Sequence, residues 1–232
     1  MNVLLAEQAA TQSINKFGGT DNDKNSFFMI LEFLEQNPDR ISLRSKNIEI
    51  DTFEYYLKLS DYFFKARSKI EGPKPPETIP DNMVSYILEL FFNYSTVETE
   101  KIKIEHQHSM AAENMIGFLL EKYIGTTLEN YGWAWCSGDF IRAIDVIKKN
   151  PDGSWYLLQI KNRDNTENSS SSAIRSGTTI QKWFRGFSKK SGTNWEAFPD
   201  IETRHLLSED GFKDFVKNYL LKAKNLSCVL PN

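Results

Sequence analysis

The sequence predicts an α/β (α+β) protein with a helical first half and a β-hairpin between helices in its second half. Apolar residues recur at three- and four-residue spacing through the first hundred residues, which is typical of helices with one buried face. Residues 138–163 read as two strands around the turn sequence 150–153. The 232 residues, 40% of them apolar, are enough for one large domain or a core with an added subdomain.

The first 108 residues form the predicted N-terminal helical region. Helices are predicted over 25–36 and 51–70, and another begins at Met83 after the proline-rich break at 71–82. Residues 101–108 alternate in polarity and predict either a short strand or a linker. We expect this region to serve in packing, in dimerisation or in clamping DNA.

Residues 109–232 form the predicted core. Ser109 can cap a helix that ends at Gly125, and residues 178–190 predict a second, amphipathic helix. A third helix, over 209–225, closes the chain. The two strands of the hairpin lie between the first and the second of these helices.

The turn between the two strands predicts which residues face each other. Asn-Pro-Asp-Gly suits a type I turn followed by a left-handed glycine, which makes a three-residue hairpin loop at 151–153. Opposed residues then have numbers that sum to 304. Asp145 meets Gln159 and Ala143 meets Lys161, while Ile144–Ile160 and Val146–Leu158 are the apolar pairs expected in the core.

A cluster of Asp145, Gln159 and Lys161 is therefore expected on one face, at the end far from the turn. Asp145 and the Gln159 side-chain oxygen, with the Ile160 carbonyl, could hold Mg²⁺, because hard divalent cations prefer oxygen ligands. Lys161 would orient or help deprotonate an attacking water, or offset charge on a phosphate. The alternative is a strand-edge ion pair between Asp145 and Lys161, worth well under ~1 kcal/mol.

Glu113 is a further candidate for this cluster. It shares a helix face with the apolar residues Ile116, Leu120 and Ile124. Either it points at the Asp145 cluster, or it is a first-turn carboxylate that the helix dipole favours.

The order of Glu113, Asp145 and Gln159-Ile160-Lys161 resembles the PD-(D/E)XK nucleases. Ile144 stands where that motif usually has proline, and Gln159 stands where it usually has an acidic residue. The blocks at 159–185 and 193–199 are similar to the SinI/AvaII-type restriction endonucleases, which cut G/GWCC. The resemblance covers chains of similar length.

This resemblance implies a restriction-endonuclease-like core, in which helices flank a mixed β-sheet. It also implies Mg²⁺-dependent cleavage of double-stranded DNA that leaves 5′-phosphates. A palindromic target implies a homodimer with one active site per strand. A cognate DNA methyltransferase is the expected genetic partner of such an enzyme.

The segment 162–196 is predicted to contact DNA. Residues 161–190 hold seven basic residues in a protein of net charge −3, and their amide and hydroxyl neighbours are suited to reading bases. A flexible polar loop and a solvated helix face are the alternatives. The predicted contacts are Arg163, Asp164, Asn165, Asn168, Ser170, Ser171, Arg175, Lys182, Arg185 and Lys189.

The composition excludes several classes of protein. Two cysteines in no metal-ligand spacing argue against a disulfide framework, and no apolar run approaches the ~18 residues of a membrane span. We therefore expect a cytoplasmic protein with no signal peptide and no membrane partner. Two other functions stay open, namely a structure-selective or repair nuclease of the same fold and a non-catalytic DNA-binding protein.

Overall fold

The computed structural model describes residues 1–42, 48–166, 173 and 175–229, without the side chains of 227–229. Three helices open the chain: α1 (Val3–Phe17), α2 (Asp21–Gln36) and α3 (Phe53–Ser68). Thr20 and Asp23 form a capping box at the start of α2. The prediction of a helical first half is confirmed.

Two further helices follow the proline-rich break, α4 (Asn82–Phe92) and α5 (Thr96–Leu128). The interpretation of 101–108 as a strand or linker is wrong, and Ser109 caps nothing, because both lie inside α5. The helix begins earlier because Ser95 and Glu98 form a capping box at its start. The predicted boundary between 1–108 and 109–232 therefore falls within one continuous helix.

A mixed four-stranded sheet forms the centre of the molecule. Its strands are β1 (Trp133–Trp135), β2 (Val146–Lys149), β3 (Trp155–Arg163) and β4 (Gln181–Gly186), in the order β1-β2-β3-β4. The β1–β2 and β2–β3 pairs are antiparallel, and the β3–β4 pair is parallel. This sheet confirms the α+β class.

The hairpin between β2 and β3 has the predicted register. Val146 pairs with Leu158 and Lys149 pairs with Trp155. Gly153 has φ +84° and donates its N–H to the Asn150 carbonyl at 2.9 Å, as the predicted turn requires. Local turn chemistry therefore sets the pairing of these two strands.

The predicted helix at 178–190 is wrong, because residues 181–186 are strand β4. The spacing of Ile180, Trp183, Phe184 and Phe187 suggested one apolar helix face. Ile180, just before the strand, and Trp183 within it pack into cores on opposite sides of the sheet. A strand buried on both faces has no clear alternation, so a short apolar run of this kind is ambiguous between helix and strand.

Helices cover both faces of the sheet. On one face α1, α2 and α3 pack against Ala134, Ile147 and Leu157. On the other face α5 and the last helix, α6 (Glu209–Val229), pack against Val146 and Leu158. Short 3₁₀ turns at Pro38–Arg40, Glu129–Tyr131, Trp195–Ala197 and Arg204–Leu206 complete the described elements.

The register does not extend beyond the start of β2. Ile144 packs in the core beneath α1–α3, whereas Ile160 packs in the core beneath α5 and α6. The predicted Ile144–Ile160 pair is therefore wrong. The chain leaves the regular ladder at Asp145, next to Ala143, which has φ +57°.

A buried arginine joins the layers. Arg67 of α3 pairs with Asp23 of α2 at 2.7 Å and with Glu129 at the end of α5, and it donates to the Trp135 carbonyl at 3.0 Å. Its guanidinium lies 4.2 Å from the centre of the Phe63 ring. The N-terminal helices are thus fixed to the sheet by charge as well as by apolar packing.

Across the described ranges, none of the helices is long and apolar enough to cross a membrane.

Candidate active site

Asp145 lies at the junction between β2 and the loop before it. Both its backbone and its side chain form hydrogen bonds to β3. Its carboxylate Oδ2 accepts the Ile160 N–H at 2.6 Å, while its own N–H donates to the Leu158 carbonyl at 2.9 Å. Burial raises the pKa of Asp145 to about 6, although the Ile160 N–H and Lys161 oppose the shift and Asp139 adds to it. Asp145 retains partial exposure to solvent, so this carboxylate is recessed but reachable.

Lys161 lies two residues after Gln159 on the same face of β3, as predicted. It is partly exposed and close enough to lower the pKa of Asp145. Gln159 is only 2% exposed, and its Oε1 accepts a hydrogen bond from Arg175 Nη1 at 2.7 Å. The oxygen that was predicted to bind metal is thus in contact with a guanidinium.

The carboxylate that α5 brings to this cluster is Glu121. Burial and the negative charge of Asp145 raise the pKa of Glu121 well above its usual range; Lys161 opposes the shift and Asp139 adds to it. Glu121 was missed in the sequence, although a signal exists. Glu113, Gly117, Glu121 and Gly125 follow one another at i, i+4 spacing, with glycines on either side of the second carboxylate.

Glu113, the predicted helix carboxylate, lies about two turns before Glu121 and is exposed. It was expected in the first turn of a helix that begins after Ser109. Because α5 begins at Thr96, Glu113 is instead a mid-helix residue on a surface face. The structure therefore places Glu121, and not Glu113, beside Asp145.

Gly125 fixes the height of Glu121 above the sheet. A Cβ built on Gly125 would stand 2.4 Å from Trp135 Cβ, so helix α5 and strand β1 touch at this point with no space for a side chain. Glu121 is one turn before this contact. The absence of a side chain at 125 lets α5 approach the sheet closely enough to bring its carboxylate near Asp145.

A cavity of about 300 Å³ adjoins this cluster. Glu121, Asp139 and the loop at 136–138 line it from one side, and Lys65 of α3 lines it from another. Gly138 has φ +101°, and a Cβ there would stand 2.6 Å from the Tyr62 carbonyl oxygen, so the loop packs closely against α3. Glu121 and Asp139 are therefore open to a ligand at a junction of three elements.

The donor set suits a hard cation that keeps part of its water shell. In residues 1–42, 48–166, 173 and 175–229, no three His, Cys, Asp or Glu side chains converge closely enough to form a complete metal cage. Asp145 and Glu121 offer two carboxylates, and the Ile160 carbonyl points to the same side of β3 as the N–H that Asp145 accepts. Mg²⁺ is commonly held by one or two carboxylates and several waters. Burial raises the pKa of both carboxyl groups, and a bound cation would favour their ionised forms.

The predicted DNA contacts fall into three groups. Asn168, Ser170 and Ser171 lie outside the described residues. Arg163, Asn165 and Lys189 are exposed near the carboxyl ends of β3 and β4, where DNA could reach them. Arg175, Asp164, Lys182 and Arg185 have partners within the chain.

Those internal partners link β3, β4 and α6. Asp164 accepts the Ser188 N–H at 2.8 Å, and hydrogen bonds from Ser188 lower the pKa of Asp164. Lys182 donates to the Asp164 carbonyl at 3.3 Å. Arg185 donates to both carboxylate oxygens of Glu209 at 2.7 and 2.9 Å. Because 181–186 is a strand, Lys182 and Arg185 point to opposite faces, and the basic stripe expected on a helix does not form.

A mixed sheet between helical layers, with two carboxylates and a lysine meeting where the hairpin strands diverge, is the core of a restriction-endonuclease-like nuclease. The SinI restriction endonuclease family model matches residues 9–222. The chain is 44% identical over 224 residues to the type II restriction enzyme Eco47I of Escherichia coli, covering 95% of this chain and 96% of that protein. It is also 44% identical over 223 residues to the type II restriction enzyme SinI of Salmonella infantis, covering 94% and 96%.

The chain belongs to the SinI restriction endonuclease family. It is a type II restriction enzyme, that is, a site-specific deoxyribonuclease, and its substrate is double-stranded DNA. The resemblance to the SinI/AvaII-type enzymes, read from the blocks at 159–185 and 193–199, is thereby confirmed at the level of the family. Enzymes of this class generally use a divalent metal cofactor.

Proposed function

We propose that the enzyme hydrolyses double-stranded DNA in a Mg²⁺-dependent reaction at a short palindromic GC-rich site, G/GWCC, and leaves 5′-phosphates. The observation that carries this proposal is the meeting of Glu121, Asp145 and Lys161 beside a cavity and an exposed basic segment. The similarity to SinI and Eco47I extends over nearly the full chain and supports the same assignment.

Asp145, Glu121 and the Ile160 carbonyl would hold Mg²⁺ in this proposal. When bound, the ion supplies Lewis-acid polarisation of the scissile phosphate and a lowered pKa for water. The Ile160 N–H fixes the orientation of the Asp145 carboxylate, because it donates to Oδ2 at 2.6 Å. Gln159 remains a predicted ligand, although its Oε1 already accepts from Arg175.

Lys161 would act directly on the reacting groups. Its ammonium lies near both carboxylates, which hold it at the site electrostatically. From there it donates hydrogen bonds to the attacking water and to a non-bridging phosphate oxygen. The water attacks phosphorus in line with the departing 3′-oxygen, so the products are a 5′-phosphate and a 3′-hydroxyl.

Recognition would come from the segment that follows Lys161. Arg163 and Asn165 are exposed at the end of β3, and arginine and asparagine are suited to guanine and adenine edges respectively. The Gln159–Arg175 hydrogen bond ties this segment to the catalytic strand. A palindromic site requires a homodimer with one active site per strand, and a cognate DNA methyltransferase would protect the host sequence.

The first test is digestion of plasmid and λ-type DNA with Mg²⁺ by the wild-type chain and by Lys161→Ala. We expect discrete fragments from the wild type. Lys161→Ala should bind the same site but lose at least about 10³-fold in cleavage rate, because it lacks the charge that faces the phosphate. Lys213→Ala, which removes a largely exposed lysine of α6, is the matched control and should cut normally.

Undiminished cutting by Lys161→Ala would overturn the assignment of this site. Fragments that do not map to G/GWCC would overturn the proposed target but not the nuclease. Nicking of branched substrates without discrete bands would favour a structure-selective nuclease instead.

A further inference from the structure

Helix α4 lies on the surface of the molecule with none of its residues buried. Its eleven residues include only three polar ones, Asn82, Ser85 and Glu89. The other residues are apolar, and Leu90 and Phe91 are 65% and 76% exposed. A helix that is apolar around most of its circumference is normally buried, so this surface requires a partner.

Most of the apolar residues of α4 face away from α5, the helix it packs against. The less exposed residues of α4 are Ser85, Leu88 and Glu89, and Ser85 Oγ donates to Glu100 of α5 at 3.3 Å. On the α5 side the buried residues include Thr99 and Lys103. The side of α4 that carries Ser85, Leu88 and Glu89 thus faces its own chain, and most of its apolar residues face outward. The outward apolar residues are Met83, Tyr86, Ile87, Leu90, Phe91 and Phe92.

The charge of this segment excludes two classes of partner. No Lys, Arg or His occurs between Lys74 and Lys101, whereas five acidic residues do. DNA binding requires cationic side chains against phosphates, and helices that bind anionic membranes carry Lys or Arg on their polar face. The occupant of the α4 surface is therefore a protein surface.

We propose that the partner is a second copy of this chain, joined through α4. A two-fold interface brings the same patch against itself, and an uncharged apolar patch satisfies this requirement without repulsion. Aromatic side chains present roughly 150–250 Å² each, so the half-exposed aromatic and aliphatic residues of α4 and its flanks offer on the order of 1,000 Å². A standard interface needs about 800 Å² per partner.

A cavity beside α4 adds to this surface. It has a volume of about 420 Å³, and apolar residues of α4 and α5, among them Val84, Leu88, Ile102 and Met110, line it. An aromatic residue of the facing α4 could enter this space, as anchor residues do at the centre of interfaces. This interface rests on the proposed function in one respect: cleavage of both strands of a palindrome needs two copies of the active site.

The test is sedimentation of the free protein in the Lys161→Ala background, without DNA or Mg²⁺. We expect a dimer at micromolar concentration. Leu90→Asp should raise the dimer dissociation constant by about 100-fold or more, because the charge enters the interface from both chains. Ile201→Asp is the matched control, since Ile201 is 73% exposed outside this surface and should leave the constant unchanged.

A second measurement covers the case in which Leu90→Asp perturbs folding. Hydrogen exchange of residues 82–94 in the unsubstituted chain should slow as protein concentration rises through the dissociation constant. Exchange independent of concentration, a monomeric protein at tens of micromolar, or an unchanged dimer of Leu90→Asp would each overturn the interface. If the unsubstituted chain forms the dimer through α4 but cuts no DNA in the presence of Mg²⁺, the proposed function alone is overturned.

Discussion

Two carboxylates that repel each other lie at the centre of this site. Burial raises the pKa of both Asp145 and Glu121, the charge of Asp145 raises that of Glu121 further, and both residues remain partly accessible. Carboxylates kept in such proximity are destabilising unless a cation or a proton lies between them. Their placement is therefore better explained by a role in catalysis than by a contribution to the stability of the fold.

The first prediction at this scale distinguishes Glu121 from Glu113 of α5. Glu121→Gln should reduce cleavage by at least about 100-fold, because the loss of a metal-ligand carboxylate weakens the ion and its charge stabilisation. Glu113→Gln makes the same change two turns away on the same helix and should leave cleavage within about twofold. Steady-state cleavage of a single-site plasmid measures both variants, and loss of activity in Glu113→Gln alone would contradict the placement of Glu121.

The second prediction concerns pH. The folded pKa of Asp145, about 6, is above its ordinary value of 3.8, so the folded protein binds this proton more tightly than the unfolded chain does. The stability that the protonated group contributes is present below about pH 4 and is lost as the pH rises through about 6. Asp145→Asn keeps an oxygen acceptor for the Ile160 N–H but does not ionise.

Urea unfolding of both proteins from pH 4 to pH 7 measures this difference. The wild type should lose on the order of 1–3 kcal/mol relative to Asp145→Asn across this range, because one pKa unit corresponds to about 1.4 kcal/mol. Mg²⁺ must be absent, since a bound cation would remove the repulsion. Parallel stability curves for the two proteins would show that Asp145 ionises normally in the folded state.

Prediction of individual residue positions succeeded where residues close in the sequence determine the structure. The turn at 150–153 set the register of β2 and β3, and their two-residue spacing put Gln159 and Lys161 on one face of β3. It failed for Glu121, because the helix face depends on where the helix starts and on what packs against it. Neither the Ser95 capping box nor the Gly125–Trp135 contact was identified beforehand.

At the scale of elements, helix α5 and its contact with β1 set the geometry of the site. Gly125→Ala should destabilise the protein by about 1–3 kcal/mol, because a Cβ at 2.4 Å from Trp135 forces the helix away from the sheet. Cleavage should fall as well, since Glu121 moves with the helix. Thermal unfolding and plasmid cleavage measure the two effects.

Gly117→Ala provides the control in the same helix. A Cβ at Gly117 meets nothing within 4 Å, so alanine should stabilise the helix by roughly 0.5–1 kcal/mol. The same substitution is thus expected to have opposite signs eight residues apart. Destabilisation by both substitutions would indicate that the contact with Trp135 is not the cause.

A helix or strand was predictable when the apolar pattern and capping residues of its own segment determined its structure. Helices α2 and α3 have apolar faces and side-chain caps, and the predicted spans are close to those observed. Strand β4 was misread because its identity depends on the free edge of β3, which it pairs in parallel. Strand β1 was not predicted because three residues carry no periodic signal.

At the scale of the whole molecule, the N-terminal helices are one of the layers that cover the sheet. Arg67 joins this layer to the rest through Asp23, Glu129 and the Trp135 carbonyl. Arg67→Ala should destabilise the entire protein by about 3–5 kcal/mol, because two largely buried carboxylates lose their partner.

Urea unfolding followed by fluorescence and by circular dichroism measures this effect. Lys16→Ala removes a lysine that is 58% exposed and pairs with Asp61, so it should cost less than about 1 kcal/mol. We expect one cooperative transition in every case, since both helical layers pack on the same sheet. Separate transitions for the two halves of the Arg67→Ala chain would contradict this coupling.

Helix α5 extends over 33 residues, from the base of α4 to the carboxylate at the active site. Val97 and Glu121 are 24 residues apart, which corresponds to about 36 Å along one rod at 1.5 Å per residue. In a pair of chains joined through α4, each copy carries such a rod from the shared surface to its own scissile phosphate. The number of helical residues between these two points would therefore set the distance from the interface to each active site. That distance would determine how many base pairs separate the cuts in the two DNA strands.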